Sequence, residues 1–268
     1  FFPQKAYQCG PATLSMALGW SGIRVTPNQV MPEVFTPSLK GSLQSAIIGS
    51  TRRHGRIAFP IHGMDMLLRE LVAGHPVIIL QNLGFSWLPV WHYSIVVGYH
   101  LSDNVVILHS GTTPRKRLSM KTFAKTWSRS GYWGLLVLSP HEIPVTADEK
   151  AYILAVIGLE KARHWDSALK GYQTALKRWP DSLGAYMGVS NSYYALGEWE
   201  AAAVSLKKAI DRFPEEGVLF NNLAQVQFKQ KKVEEALYSI RQAIQLGGPL
   251  SQLYQKTLDE ILSAMDSP

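Results

Sequence analysis

The one cysteine of this chain, Cys9, stands in the stretch Gln4-Lys-Ala-Tyr-Gln-Cys-Gly-Pro-Ala-Thr-Leu-Ser-Met-Ala-Leu18, and its neighbours favour thiolate chemistry. Pro11 fits the first turn of a helix, where its missing N–H would have no intrahelical partner. Leu14, Ala17 and Leu18 recur at helical spacing, and Gly19 and Gly22 lie where a helix would end. A helix beginning at Cys9 holds the thiol at the end where unpaired N–H groups and the helix dipole favour an anion, the kind of surroundings in which thiolates form. A thiolate that attacks a carbonyl carbon needs a base to take and return a proton, and a donor for the oxyanion. Gln4, five residues upstream, is near enough to offer its amide N–H. Far downstream, Trp91-His92-Tyr93-Ser94-Ile95-Val96-Val97 reads as a strand that opens with a histidine, the expected base.

Two motifs, Gln-x4-Cys-Gly-Pro-Ala-x-Leu-x-Met from Gln4 and His-Tyr-x-Ile-Val-Val-Gly-Tyr from His92, together resemble the bacteriocin-processing (double-glycine leader) cysteine peptidases and their stand-alone relatives. The resemblance spans roughly residues 1 to 140 and implies a papain-like fold. By position it makes Cys9 the nucleophile, His92 the general base and acid, and Gln4 the oxyanion donor. The family's glutamine stands six residues before its cysteine rather than five, which keeps Gln8 as a lesser candidate. The family also has an acidic residue at the end of the strand after the histidine strand. Here that place reads Leu108-His109-Ser110-Gly111-Thr112 and the best match is Ser110. A serine accepts an imidazole N–H without a charge to stabilise imidazolium. A dyad helped by Ser110 or Asn82, and a site that binds without cleaving, both remain open. The resemblance further implies cleavage of a peptide or small protein, after small residues such as a Gly-Gly pair, with hydrolysis and transfer to an amine as alternatives. Gly10, Trp87 and Trp91 are the candidate substrate-binding residues.

The chemistry that composition excludes is equally informative. A single cysteine rules out an internal disulfide and any cysteine-based zinc cluster, and the eight histidines show no metal-ligand spacing, so neither metal nor cofactor is expected. Residues 1–147 hold 13 Lys and Arg against 5 Asp and Glu, a net +8, whereas residues 148–268 hold 14 against 15, a net −1. The basic clusters Arg52-Arg53-His54-Gly55-Arg56 and Arg115-Lys116-Arg117 lack an interleaved aromatic platform, which disfavours nucleic acid and favours steering of an acidic peptide or an anionic surface. No apolar run approaches the ~20 residues needed to span a bilayer. The chain begins with Phe1, and together with the resemblance this leads us to expect an exported bacterial protein of the cell envelope, periplasmic or lipid-anchored upstream of residue 1, with a cytoplasmic location as the alternative.

Around these residues the pattern is helical first and then stranded. Thr26-Pro27 caps a short helix over 28–34, Gly41-Ser42 caps one over 43–54, and another spans 64–73. Val77 to Leu80 reads as a buried strand. The aromatic loop Phe85 to Trp91 is either a cleft wall or core between sheet and helices. The His92 strand then pairs through a turn at Ser102-Asp103-Asn104 with Val105 to Leu108, a helix follows over 120–128 and a last strand over 134–138. This is an α+β order, assigned to residues 1–139, with a Pro-containing linker at 140–147. From 148 the chain repeats at period 34: Ala168, Ala202 and Ala236 align, as do Ala175, Ala209 and Ala243, and Pro180 with Pro214. These units look like three tetratricopeptide repeats (148–181, 182–215, 216–249) followed by a capping helix over 250–266 with Leu250, Leu253, Leu258, Ile261 and Leu262 apolar. An all-α superhelix of this kind offers a concave face to a peptide or partner protein.

Overall fold

The computed structural model describes residues 1–4 and 7–265, and the chain divides into two compact units, Phe1–His164 and Trp165–Pro268. In the first, α1 (Cys9–Trp20) and α2 (Pro27–Val34) precede a two-strand hairpin of β1 (Phe35–Thr36) and β2 (Gly41–Ser42), then α3 (Gln44–Arg53), β3 (Ile57–His62) and α4 (Met64–Val72). A run of strands follows: β4 (Val77–Asn82), β5 (Trp91–His100), β6 (Val105–Ser110) and β7 (Thr113–Ser119), then α5 (Met120–Ser128) and β8 (Trp133–Leu138). The six-stranded sheet has the order β3-β8-β4-β5-β6-β7, every neighbouring pair antiparallel.

Besides the hairpin strands β1 and β2, two strands of the six-stranded sheet go beyond the expected elements, and both lie at its edges. Pro60 interrupts the apolar run of β3 and Pro114 stands near the start of the charged β7, and an edge strand tolerates a residue without an N–H because only one side of its ladder is paired. The exposed Arg115, Lys116 and Arg117 on β7 also discourage pairing with another chain. Thr26 caps α2 as expected, in a capping box closed by Gln29. The cap of α3 is Leu43, not Ser42, because Gly41 and Ser42 are used in the hairpin.

The core that fixes α1 is formed by Leu14, Ala17 and Leu18 against Ile78, Tyr93, Ile95, Trp133, Leu135 and Val137 on one face of the sheet. Alternation along β5 places Tyr93 and Ile95 on that face and turns His92 to the other. A further helix, α6 (Glu149–Lys161), packs on β3 and α3, so the first compact unit runs past the point where the 34-residue repeat begins.

The second unit contains α7 (Trp165–Arg178), α8 (Leu183–Ala195), α9 (Trp199–Arg212), α10 (Gly217–Lys229), α11 (Val233–Leu246) and α12 (Ser251–Met265). All six aligned alanines are fully buried, which is why small residues recur there: neighbouring helices approach closely at those positions. The apolar face of α12 differs from expectation. Tyr254, Thr257 and Ile261 are buried, with Leu258 packed beside them, whereas Leu250, Leu253 and Leu262 are exposed. Residue 266 of the expected helix lies outside the described residues.

Candidate active site

Cys9 is the first residue of α1. Gln8, the N-cap, gives no side-chain cap, and the first turn has no acidic residue. The first intrahelical bond of this end runs from Ala12 N–H to Gln8 O at 2.9 Å. The N–H groups of Cys9 and Gly10 therefore sit where a helix has no internal acceptors. Thr13, fully buried one turn on, donates its hydroxyl to Cys9 O at 2.6 Å and holds that turn.

Gln4 is placed differently from its expected role. Its Oε1 accepts the Gly111 N–H at 2.9 Å, which fixes the amide, and Nε2 donates to Thr13 Oγ1 and to Tyr93 O, both at 3.2 Å. Both amide protons are thus engaged inside the protein, and Gln4 N–H also donates to Gly111 O at 3.0 Å. Gln4 is buried and acts as a tie between the N-terminal segment, α1, β5 and the β6–β7 turn, not as a free donor beside the sulfur. Gln8 turns toward α2, where Nε2 lies 3.4 Å from Asn28 Oδ1 and 3.9 Å from Met31 Sδ.

At the same end of the sheet, His92 Nε2 lies 2.9 Å from Ser110 Oγ. The pairing of β5 with β6, in which Ile95 stands opposite His109, brings the start of one strand beside the end of the other. The expected histidine and its neutral neighbour are therefore together. Burial first, and then the Lys116 ammonium, hold the His92 imidazole below its ordinary value, so the neutral form is favoured. His109, one residue from Ser110, faces the other way: Nδ1 accepts the Arg115 N–H at 3.0 Å, and its ring packs at a tilt against Phe1 with centroids 5.2 Å apart. Asn82 does not reach His92. Its Oδ1 accepts the N–H groups of Gly84 and Val90, each at 2.9 Å, and Nδ2 donates to Phe85 O at 3.3 Å.

Cys9 opens into a cavity of about 630 Å³ lined by Leu43, Leu80, Pro89, Trp91 and Tyr93 among others. Tyr93 is close enough that the Cys9 thiol, after burial, adds to holding its phenol above the usual range. Trp91 lines this cavity, as its candidacy for substrate binding requires, but Trp87 does not. Trp87 is 78% exposed and stacks on Phe85 with centroids 5.7 Å apart, so the aromatic loop is cleft wall at Pro89 and Trp91 and solvent-facing at its tip, never core. Gly10 is buried and enters through packing: a Cβ there would meet Ser42 Oγ at 2.3 Å, so glycine lets β2 close over the start of α1. Leu43, Leu80 and Lys116 were not expected at the site from the sequence. For Lys116 the only signal is its alternation along a strand that itself reads poorly.

Because Asn82 ties both ends of the 83–90 loop, Asn82→Ala should leave the Gly84 and Val90 N–H groups without that acceptor. A penalty of about 1–3 kcal/mol is expected, seen as faster hydrogen exchange confined to that loop. Unchanged exchange there would exclude Asn82 as its organiser.

Among the described residues no group of three or more His, Cys, Asp and Glu side chains converges as a metal site, and no helix is long and apolar enough to cross a membrane. Compared with known proteins, residues 1–134, half of the chain, match the family described as Peptidase_C39 like, and residues 154–216 and 190–249 match the Tetratricopeptide repeat. No curated protein matches. Solved structures similar to part of the chain include the Yersinia enterocolitica type III secretion chaperone SycD in complex with a peptide of the translocator YopD (15% identity, 43% of this chain and 93% of that one, TM-score 0.40). Two others are the TPR2B domain of yeast Sti1 in its pHsp70 complex (18%, 43% and 97%, TM-score 0.41) and PcrH from Pseudomonas aeruginosa (17%, 42% and 91%, TM-score 0.41). With half its length matching that peptidase-like family and the repeats following, this chain belongs to the Peptidase_C39 like family and joins its peptidase-like domain to tetratricopeptide repeats.

Proposed function

We propose that the first unit is a cysteine peptidase acting through Cys9 and His92, and that the repeats recruit its substrate or a protein partner. The observation that carries this is that Cys9 shares a cavity with Trp91 and Tyr93, the two residues that flank His92 on β5. With Nε2 turned to Ser110, Nδ1 is the nitrogen left to take the thiol proton. Cys9 Sγ then bonds to the scissile carbonyl carbon, and the electron pair of the C=O moves to oxygen. The backbone N–H groups of Cys9 and Gly10 receive that oxyanion, since Gln4 has both amide protons engaged elsewhere. His92 returns its proton to the leaving amine as the C–N bond breaks. Water, deprotonated by the same imidazole, releases the acyl group and restores the thiol.

A second reading has its own support. Ser110 stands where the resemblance implies a carboxylate, and Lys116 lies near His92, so imidazolium is poorly stabilised. On this reading the domain is catalytically weak or inactive, grips a peptide, and works through the repeats. Iodoacetamide inactivation measured from pH 4 to 9, with His92→Ala beside the wild type, separates the two. A peptidase should alkylate well above the rate of a model thiol near neutral pH and lose at least tenfold in the variant. A rate equal to the model thiol and indifferent to His92→Ala would leave only the binding protein.

A further inference from the structure

We infer that the cavity beside Cys9 selects substrates with a bulky apolar side chain in one of the two residues on the acyl side of the scissile bond. This rests on the peptidase reading above and gives it a substrate class, one that differs from the Gly-Gly cleavage implied by resemblance.

The side of the bond follows from the strand. His92 must return a proton to the leaving amine, so the leaving half of the substrate lies toward His92. Tyr93, the next residue of β5, projects from the opposite face and lines the cavity, whereas neither His92 nor Ser110 does. The cavity therefore receives the acyl half.

Its chemistry follows from the walls. Leu39, Leu43, Leu80, Pro89, Trp91 and the ring of Tyr93 present apolar surface around about 630 Å³, a volume in the range of about 300–1,000 Å³ that is ordinary for ligand pockets. Two hydroxyls of the lining are bonded to the protein, while Ser42 Oγ has no partner among the described residues and Lys40 and Gln44 add polar groups to the lining. Tyr93 O–H donates to Ser42 O at 3.2 Å, and Ser130 O–H donates to Leu80 O and Trp127 O. Those two hydroxyls do not ask for a polar side chain. Two glycines would leave such a space unfilled, while a leucine or phenylalanine would displace water from it. The walls are also held in place: Ser42 rests against Gly10, and Leu80 and Trp91 belong to paired strands.

The test uses the full chain and three peptidyl chloromethyl ketones, acetyl-Gly-Gly, acetyl-Leu-Gly and acetyl-Gly-Leu, in which the thiolate displaces chloride and forms a thioether. Rates of Cys9 alkylation are followed by mass, with iodoacetamide as a reference that lacks a side chain. One of the two leucine reagents should react about tenfold or more faster than the Gly-Gly reagent. Leu43→Ala and Trp91→Ala should each reduce that ratio. Equal rates, a faster Gly-Gly reagent, or a ratio that neither variant moves would overturn the inference, while rapid iodoacetamide reaction in the same samples would leave the peptidase reading standing. If no reagent outpaces a model thiol, both fall together.

Discussion

Replacing Ser110 with aspartate should raise the rate of Cys9 alkylation near pH 6–7 by roughly 10–100-fold. The Ser110 hydroxyl touches His92 Nε2 at 2.9 Å but brings no charge, and burial together with Lys116 holds the imidazole below its ordinary value. The wild-type pair therefore has to work from a neutral imidazole that resists protonation. A carboxylate in this position would accept the Nε2–H in a charge-assisted bond and oppose both effects. An adjacent opposite charge moves a titration by about 1–3 units in favour of the charged form. Transfer of the thiol proton to His92 becomes more favourable by the same factor. Ser110 is only half-buried, so the longer side chain has room. Ser110→Ala should have the opposite effect, and Lys116→Met should give a smaller increase than the aspartate by removing the cation. The pH profile supplies the sign. With imidazole protonation no longer resisted, the gain is greatest in the range where a depressed His92 would otherwise be neutral. If Ser110→Asp leaves the alkylation rate and its pH profile unchanged, Ser110 does not act on His92 in the working protein.

How much of this was legible in the sequence depends on the range of the signal. The helix at Cys9 reads clearly because Pro11, the apolar spacing and the closing glycines all lie within fourteen residues. The repeats read clearly because small residues recur at a fixed period, and the structure buries every one of those alanines. The meeting of His92 with Ser110 is legible only in part: the turn after β5 starts the pairing with β6, but a register shift between Val96 and Gly98 lies between that turn and His92. The edge strands β3 and β7 do not read as strands. Their prolines and charges are what an edge requires, and sequence patterns take those same residues as breaks. The role of Gln4 is hidden for a different reason. Proximity in the chain suggests the sulfur as its target, but its acceptor site is filled by Gly111 N–H, 107 residues away. No local pattern reports such a contact.

The same kind of long-range bond underlies the largest stability effect expected. Glu70 on α4 is fully buried. His75 Nδ1 lies 2.6 Å from its Oε2, and Oε1 accepts the Thr146 N–H at 2.7 Å and the Thr146 hydroxyl at 2.6 Å. One carboxylate thus ties α4 and the start of β4 to the segment that follows β8. Burial pushes this carboxyl upward, but the bonds from His75 and Thr146 outweigh burial and hold it below the ordinary glutamate value. Glu70→Ala removes the acceptor for all three donors and opens a void, at a cost of about 3–5 kcal/mol, seen as a lower urea midpoint at pH 7. The pH dependence follows from the direction of the shift. A carboxylate depressed in the folded state contributes its stability above the unfolded value of about 4.3 and loses it as pH falls through the folded value. The gap in midpoint between wild type and Glu70→Ala should therefore narrow on acidification below pH 4. A gap of constant size from pH 7 to pH 3 would mean that shape, and not charge, is what Glu70 contributes.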